Sequence, residues 1–456
     1  MPELNITFVK GARRVTGSNF LVEAKEGGKT TRILIDCGLT QGERFSESGN
    51  NEKFPYGLAS IDAIFFTHAH ADHIGLFPKL VREGFNGRAF ATPPTKALMP
   101  IMLLDTSRLM ADEANRRGEN PPYRIEDIPS AVSLVEELGY RSEVTLSPDV
   151  SVTLYNAGHI IGSALVLVKA FGTKILFTGD LGRVPAILVP DREIPKGVDY
   201  LVTESVYGNR VHGTIEESEA VLLKTVTDIE KKKGVLLIPA FSLERTQIIL
   251  SALERAITEK KISPLPVFMD SPLAAKVTEV YRHYPEFLRQ DIRTRVEGGN
   301  DPFSFKNLSV TLTPEESYTI DRIPPPKIII AGAGMSHGGR IRKHELRYLP
   351  EKTTTLLLSG YQAAGSLGRR LKDGARKVEI DGQWVTVRAK ILSLVGFSAH
   401  ADRDDLLDFV EKINPKKVFV VLGETEAATF LAQRISGFLN VPVEVPREGE
   451  RVNLEL

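Results

Sequence analysis

Short apolar runs that stop at Gly, His or an acid recur through the first 206 residues: ITFVKGA, TRILIDCG, AIFFTHAH, SVTLYNAGH, ALVLVKAFG, KILFTGD and YLVTES. Val/Ile/Leu/Phe runs bounded by such residues predict sheet strands. Between them, IGLFPKLVREGF and PTKALMPIMLLDTSRLMADEANRR carry helical patterns. Strands interleaved with helices predict an α/β architecture. A second series starts near Tyr207. It runs through an amphipathic helix ending at Gly234 (IEESEAVLLKTVTDIEKKKG), a buried strand (GVLLIPAF) and a helix (SLERTQIILSALERAITEKK). PVFMDSP and KIIIAGAGM repeat the strand-turn signature. After about Val378 the chain returns to strand (WVTVRAKILSLVGF), helix (RDDLLDFVEKI) and strand (KKVFVVLGE), with no tandem repeat or low-complexity tract.

Composition changes this picture little. The 456 residues are 42% hydrophobic and 25% charged, values of a folded chain rather than a disordered or fibrous one. Lys plus Arg and Asp plus Glu are each 58, which excludes a globally basic nucleic-acid binder but not a locally basic one. No uncharged apolar stretch approaches the roughly 18 residues of a membrane helix. The opening MPELNITFVKGARR lacks the apolar centre of a signal peptide. Cys37 is the single cysteine, so an internal disulfide and a cysteine-built zinc finger are excluded and a cytoplasmic setting is expected.

The chemistry concentrates after the strand AIFF, where His68, His70, Asp72 and His73 fall within six residues. Imidazole and carboxylate are ligands that zinc prefers. At a strand end, alternate side chains can converge on two points, His68 and His70 on one cation, Asp72 and His73 on another. His159 lies between two strands in AGHIIGS, and Asp180 at a strand end in TGDLGR. A carboxylate has two oxygens and can bridge two cations.

In this order, Asp36 in LIDCG, the HxHxDH loop, His159 and Asp180 resemble the metallo-β-lactamase superfamily. The resemblance implies an αββα sandwich with a two-metal site at one sheet edge. It assigns His68, His70 and His159 to one metal, Asp72 and His73 to the other, Asp180 as the bridge and Asp36 as the group orienting the ligands. TESVYG (203–208) resembles the first motif of the β-CASP group, and GFSAHAD (396–402) the second, with His400 at its key position. PAFSLERTQ (239–247), MDSPLA (269–274), GAGMSHGGR (332–340) and SGYQAAGSLGRRL (359–371) also look like that group, so the likeness runs from about Asn5 to beyond Glu424. It implies a metallo-β-lactamase domain in two pieces, residues 1–207 and 383–456, with an inserted α/β β-CASP domain at 208–382. It implies a ribonuclease with two Zn2+ (Mn2+ as an alternative) acting on single-stranded RNA. One position departs: where the group's third motif has a metal-binding His before Gly-Glu, this chain has Leu422. Leucine cannot ligate, so the second metal would keep only Asp72, His73 and Asp180. That leaves a DNA-directed nuclease and a weakened RNA-binding scaffold as alternatives.

Two cations about 3.5–4 Å apart would activate a water for attack on phosphorus. The expected catalytic set is Asp72, Asp36, Glu204 and His400, with His400 as proton donor to the leaving oxygen and Glu204 holding it charged. Residues 336–378 hold ten Lys/Arg against three acids, beside glycine-rich turns whose N–H groups can cradle phosphates. Arg245, Ser336, Gly338, Gly339, Arg340 and Arg369 are the expected substrate contacts, and Tyr207, Phe241 and Tyr361 could stack bases. The oligomeric state stays open, with a homodimer among the options.

Overall fold

Alternate positions of the strand Ala164–Ala170 go to different cores. Ala164, Val166 and Val168 face one apolar cluster, while Leu165 and Leu167 face another. A strand buried on both faces reads as a continuous apolar run, which is why ALVLVKA lacks polar alternation. Thr173–Phe177 and Tyr200–Thr203 divide the same way, Phe177 and Val202 to the first cluster, Leu176 and Leu201 to the second.

The computed structural model describes residues 1–42, 45–360, 362 and 365–456; Tyr361 lies outside the described residues. The chain forms two compact units, Met1–Val211 with His400–Leu456, and His212–Ala399. Among the described residues, the first unit holds two seven-stranded sheets. One runs Glu450–Leu454, Glu3–Lys10, Asn19–Glu26, Lys29–Ile35, Ala63–Phe65, Arg88–Ala91, Val135–Glu137. The other runs Val443–Glu444, Lys417–Val420, Tyr200–Thr203, Thr173–Phe177, Ala164–Ala170, Val150–Asn156, Glu143–Ser147. Phe8, Phe20, Val22 and Phe65 of the first sheet share a buried cluster with Val166, Phe177 and Phe419 of the second. Full burial of each such side chain contributes about 1.5–3 kcal/mol. The outer face of the second sheet is covered by Arg403–Ile413 and Thr425–Arg434, which bury Leu406, Phe409, Val410 and Leu431 against Leu165 and Leu201. This is the layering of an α/β sandwich.

The second unit carries a six-stranded sheet in the order Leu308–Val310, Val267–Asp270, Lys327–Ala331, Val235–Pro239, Thr355–Leu358, Lys390–Ser393. Every pairing in it is parallel. Its four central strands are buried on both faces, as their apolar runs require.

Two readings of the sequence change. Asn19–Glu26 (NFLVEAKE) is a full strand whose Phe20, Val22 and Ala24 point inward; its charged half hid it. WVTVRAKILSLVGF divides into Gln383–Thr386, in a hairpin with Lys377–Ile380, and Lys390–Ser393, which pairs with Thr355–Leu358. That pairing keeps the segment in the second compact unit, while His400–Leu456 belongs to the first. No helix among the described residues is long and apolar enough to cross a membrane.

Candidate metal centre

The strand Ala63–Phe65 delivers the His-rich segment, and hydrogen bonds from its neighbours shape it. His70 precedes a single helical turn, Ala71–Ile74, in which the His73 N–H donates to the His70 carbonyl at 2.9 Å. The carbonyls of Asp72 and His73 accept from the N–H groups of Ser18 and Cys37, both at 2.8 Å. Glycine is required at position 38, because a Cβ there would lie 1.6 Å from the Asp72 carbonyl oxygen. The backbone bearing Asp72 and His73 is thus clipped to two other segments.

Four donors converge: ligand atoms of His68, His70, His159 and Asp180 lie within 4.8 Å of one another. His68 Nε2 is 2.9 Å from His70 Nδ1. Asp180 splits its oxygens between two groups, Oδ2 at 3.4 Å from His68 Nε2 and 3.5 Å from His159 Nε2, Oδ1 at 3.3 Å from His73 Nε2. Asp72 Oδ2 stands 3.9 Å from the same His73 nitrogen. Both ring nitrogens of His159 and Nε2 of His73 are buried with no hydrogen-bond partner among the described residues. A buried polar atom without a partner is costly, and bound cations would satisfy one nitrogen of His159 and Nε2 of His73. Burial lowers the pKa of His68, His70 and His159, which keeps them in the neutral form that ligates. The donor set therefore fits a metal ion.

Asp36 lies beneath the cluster, fully buried, at φ +61°, a conformation that Asp tolerates. Its Oδ2 accepts from the hydroxyls of Ser18 (2.9 Å) and Thr67 (2.8 Å) and meets His73 Nδ1 at 2.7 Å. Its Oδ1 accepts from the Thr67 N–H at 2.8 Å. This leaves His73 Nε2 aimed at Asp180. Sequence reasoning missed Ser18, whose contact with Asp36 closes only once Asn19–Glu26 pairs with Lys29–Ile35.

A second group forms beside the first, with ligand atoms of Asp180, Glu204 and His400 within 4.8 Å. Glu204 is buried at the end of Tyr200–Thr203, and its Oε1 accepts from the Leu181 N–H at 2.5 Å. His400 reaches it because its backbone bridges Gly182, with the Ala401 N–H donating to the Leu181 carbonyl at 2.6 Å. His400 Nδ1 is 3.4 Å from Glu204 Oε1 and 4.0 Å from Asp180 Oδ2. The Tyr207 ring stands 5.8 Å from that of His400. Leu422 is buried in the apolar cluster between the two sheets of the first unit, its N–H donating to the Gly11 carbonyl at 2.8 Å.

The expected substrate contacts behave differently. Arg340 donates to Asp270 Oδ1 at 2.7 Å and to the Thr311 and Leu312 carbonyls. Arg369 pairs with Asp373, Arg342 with Asp381, and Lys343 and Arg347 with Asp321. Arg245 donates to the Ser359 carbonyl. The local excess of cations is therefore partly neutralised, by Asp373 within the stretch and by Asp270, Asp321 and Asp381 outside it. Gly338 has open space where a Cβ would stand; Gly339, at φ +73°, would place one 2.3 Å from the Gly332 carbonyl, so only glycine fits. Phe241 is partly exposed in the second unit.

Ser336 is buried and donates to Glu345 Oε1, so its hydroxyl serves the fold. Burial pushes the Glu345 carboxyl up to about 8. The folded state therefore keeps a proton that the unfolded chain releases near pH 4.3, and stability falls as pH rises between the two values. Glu345→Gln removes the proton. It is expected to stabilise the full chain by on the order of 2–3 kcal/mol at pH 8 and negligibly near pH 4. Thermal melts at the two pH values measure this; an equal gain at both would contradict the protonation account.

Comparison with known proteins places these elements. A metallo-beta-lactamase superfamily domain model matches residues 27–182, a Beta-Casp domain model residues 246–371, and a Zn-dependent metallo-hydrolase RNA specificity domain model residues 384–446. The chain is 34% identical over 441 residues to ribonuclease TTHA0252 of Thermus thermophilus, covering 97% of this chain and 98% of that protein. It is 31% identical to an RNase J-like protein of Methanocaldococcus jannaschii, covering 97% and 98%. It is 30% identical to the transcription termination factor FttA of Methanosarcina mazei, covering 99% and 72%. A crystal structure of a protein of unknown function from Enterococcus faecalis V583 shares the fold, with TM-score 0.56 and 13% identity over 99% of this chain and 100% of that one.

Proposed function

The chain belongs to the β-CASP ribonuclease group of the metallo-β-lactamase superfamily, and from that premise we propose that it is a zinc-dependent ribonuclease hydrolysing phosphodiester bonds of single-stranded RNA. The observation that carries the reading is the Glu204–His400 pair set against Asp180, the carboxylate that also faces His68, His73 and His159. His68, His70, His159 and Asp180 would hold one zinc ion; Asp72, His73 and the other Asp180 oxygen would hold a second. Bound zinc supplies Lewis acidity, drawing charge from phosphate oxygens and making water a stronger acid.

The side chains do the rest. Burial by itself would discharge His400, but the Glu204 carboxylate, together with Asp180 and Asp72, lifts the pKa to about 9. A ring charged at neutral pH and partly open to solvent can pass its proton to the leaving sugar oxygen. Asp36 acts through His73, fixing the ring by Nδ1, and is a positioning residue. The ribonuclease relatives and the RNA specificity match support RNA over DNA.

Leu422 favours a second reading, a chain that binds RNA and cuts it poorly. Zinc-loaded protein incubated with end-labelled single-stranded RNA and DNA of one sequence separates the two. RNA is expected to be cut and DNA spared, with His400→Ala and Asp72→Ala each slowing cleavage at least ~100-fold. RNA bound but uncut in excess zinc would establish the scaffold; preferential DNA cleavage would overturn the substrate.

A further inference from the structure

The hairpin Lys377–Ile380/Gln383–Thr386 in the second unit has two unlike faces. Val378, Ile380 and Val385 point into the apolar core of that unit. The other face presents Trp384, the single tryptophan of the chain, 61% exposed. Lys377 Nζ stands 5.1 Å from the centre of its ring. Arg388, four residues on, is exposed, and Arg376 carries the carbonyl that accepts from the Val387 N–H at 2.8 Å. Lys390 and Arg370 are exposed in the adjoining strand and helix. None of these five cations forms an ion pair among the described residues, although their neighbours Arg342 and Arg369 do. Glu379, directly across from Trp384, is the acid on this face.

An indole turned to water beside Lys377, in a unit where Arg370, Arg376, Arg388 and Lys390 are exposed, has the chemistry that single-stranded nucleic acid engages, since bases stack on the ring and phosphates pair with the charges. We propose that Trp384 and the cations around it form a docking strip for single-stranded RNA, additional to the residues of the metal centre. The proposal rests on the ribonuclease reading for the identity of its ligand. A duplex would offer phosphates but no free base, so single strands are preferred.

Trp384 reports on itself, because all tryptophan emission comes from it. In zinc-loaded His400→Ala protein, which slows cleavage, a labelled 20-nucleotide RNA is titrated while Trp384 emission and RNA anisotropy are followed. Expected results are saturable quenching that tracks anisotropy, about tenfold weaker binding in Trp384→Ala, and near wild-type binding in Trp384→Phe. Arg376→Glu with Arg388→Glu is expected to lower the slope of log affinity against log salt by about 1.4. RNA that binds by anisotropy without quenching, equal quenching by heparin, or an emission shift arising from self-association alone or from anionic phosphatidylserine vesicles would each overturn the strip. None of those results touches the nuclease reading. That reading fails instead if RNA binds and quenches while the wild-type protein never cuts it, and absence of any RNA binding overturns both.

Discussion

Asp180→Asn is expected to lower RNA cleavage at least ~1,000-fold and to strip the protein of more than one bound ion equivalent under conditions that load the wild type. The argument is geometric. One Asp180 oxygen faces His68 and His159, and the other faces His73. An amide keeps the shape but replaces one oxygen with a donor that cannot accept a cation, and it removes the charge facing the imidazoles. Losing about 4 kcal/mol of transition-state charge stabilisation corresponds to the stated rate effect. The loss should exceed that of His400→Ala, since His400 meets Asp180 only at 4.0 Å and, in the proposed mechanism, would serve proton transfer alone. Metal content by atomic emission and gel-resolved cleavage are the paired measurements. A variant that keeps its metal and cuts within tenfold of wild type would remove Asp180 from the centre.

The legibility of this site in the sequence follows chain distance. His68, His70, Asp72 and His73 are readable because one strand end and one helical turn hold them together. His159 and Asp180 are readable because each ends an apolar run. Ser18 carries no such mark: it is a small polar residue that matters only through its hydroxyl on Asp36. The basic stretch misleads for the same reason. Arg340 finds Asp270, seventy positions away, across two parallel strands, and Lys343 and Arg347 find Asp321. Local charge counting sees the cations and not their partners. The central strands Val235–Pro239 and Lys327–Ala331 of the second unit read clearly as apolar runs, whereas Asn19–Glu26, with a solvent-facing charged end, does not.

Leu422→His is expected to act in opposite directions with and without metal. Leu422 is buried at φ +46° in the apolar cluster of the first unit, and its Cδ2 closely approaches the space where a Cβ on Gly11 would stand. Placing an imidazole there buries two polar nitrogens, a cost of about 1–3 kcal/mol if they stay unpaired. Metal-free variant should therefore melt several degrees below the metal-free wild type. The adjoining backbone ties position 422 to Gly11 and to Ser205, the residue after Glu204. If the new ring reaches the pocket of Asp72, His73 and Asp180, a second zinc ion pays back the penalty: zinc should raise the variant's melting temperature more than the wild type's, with tighter uptake of the second ion by at least ~10-fold. Turnover should rise with occupancy. A melting temperature that stays low at saturating zinc, with unchanged stoichiometry, would mean that the leucine fills a packing position and that the second ion depends on three ligands alone.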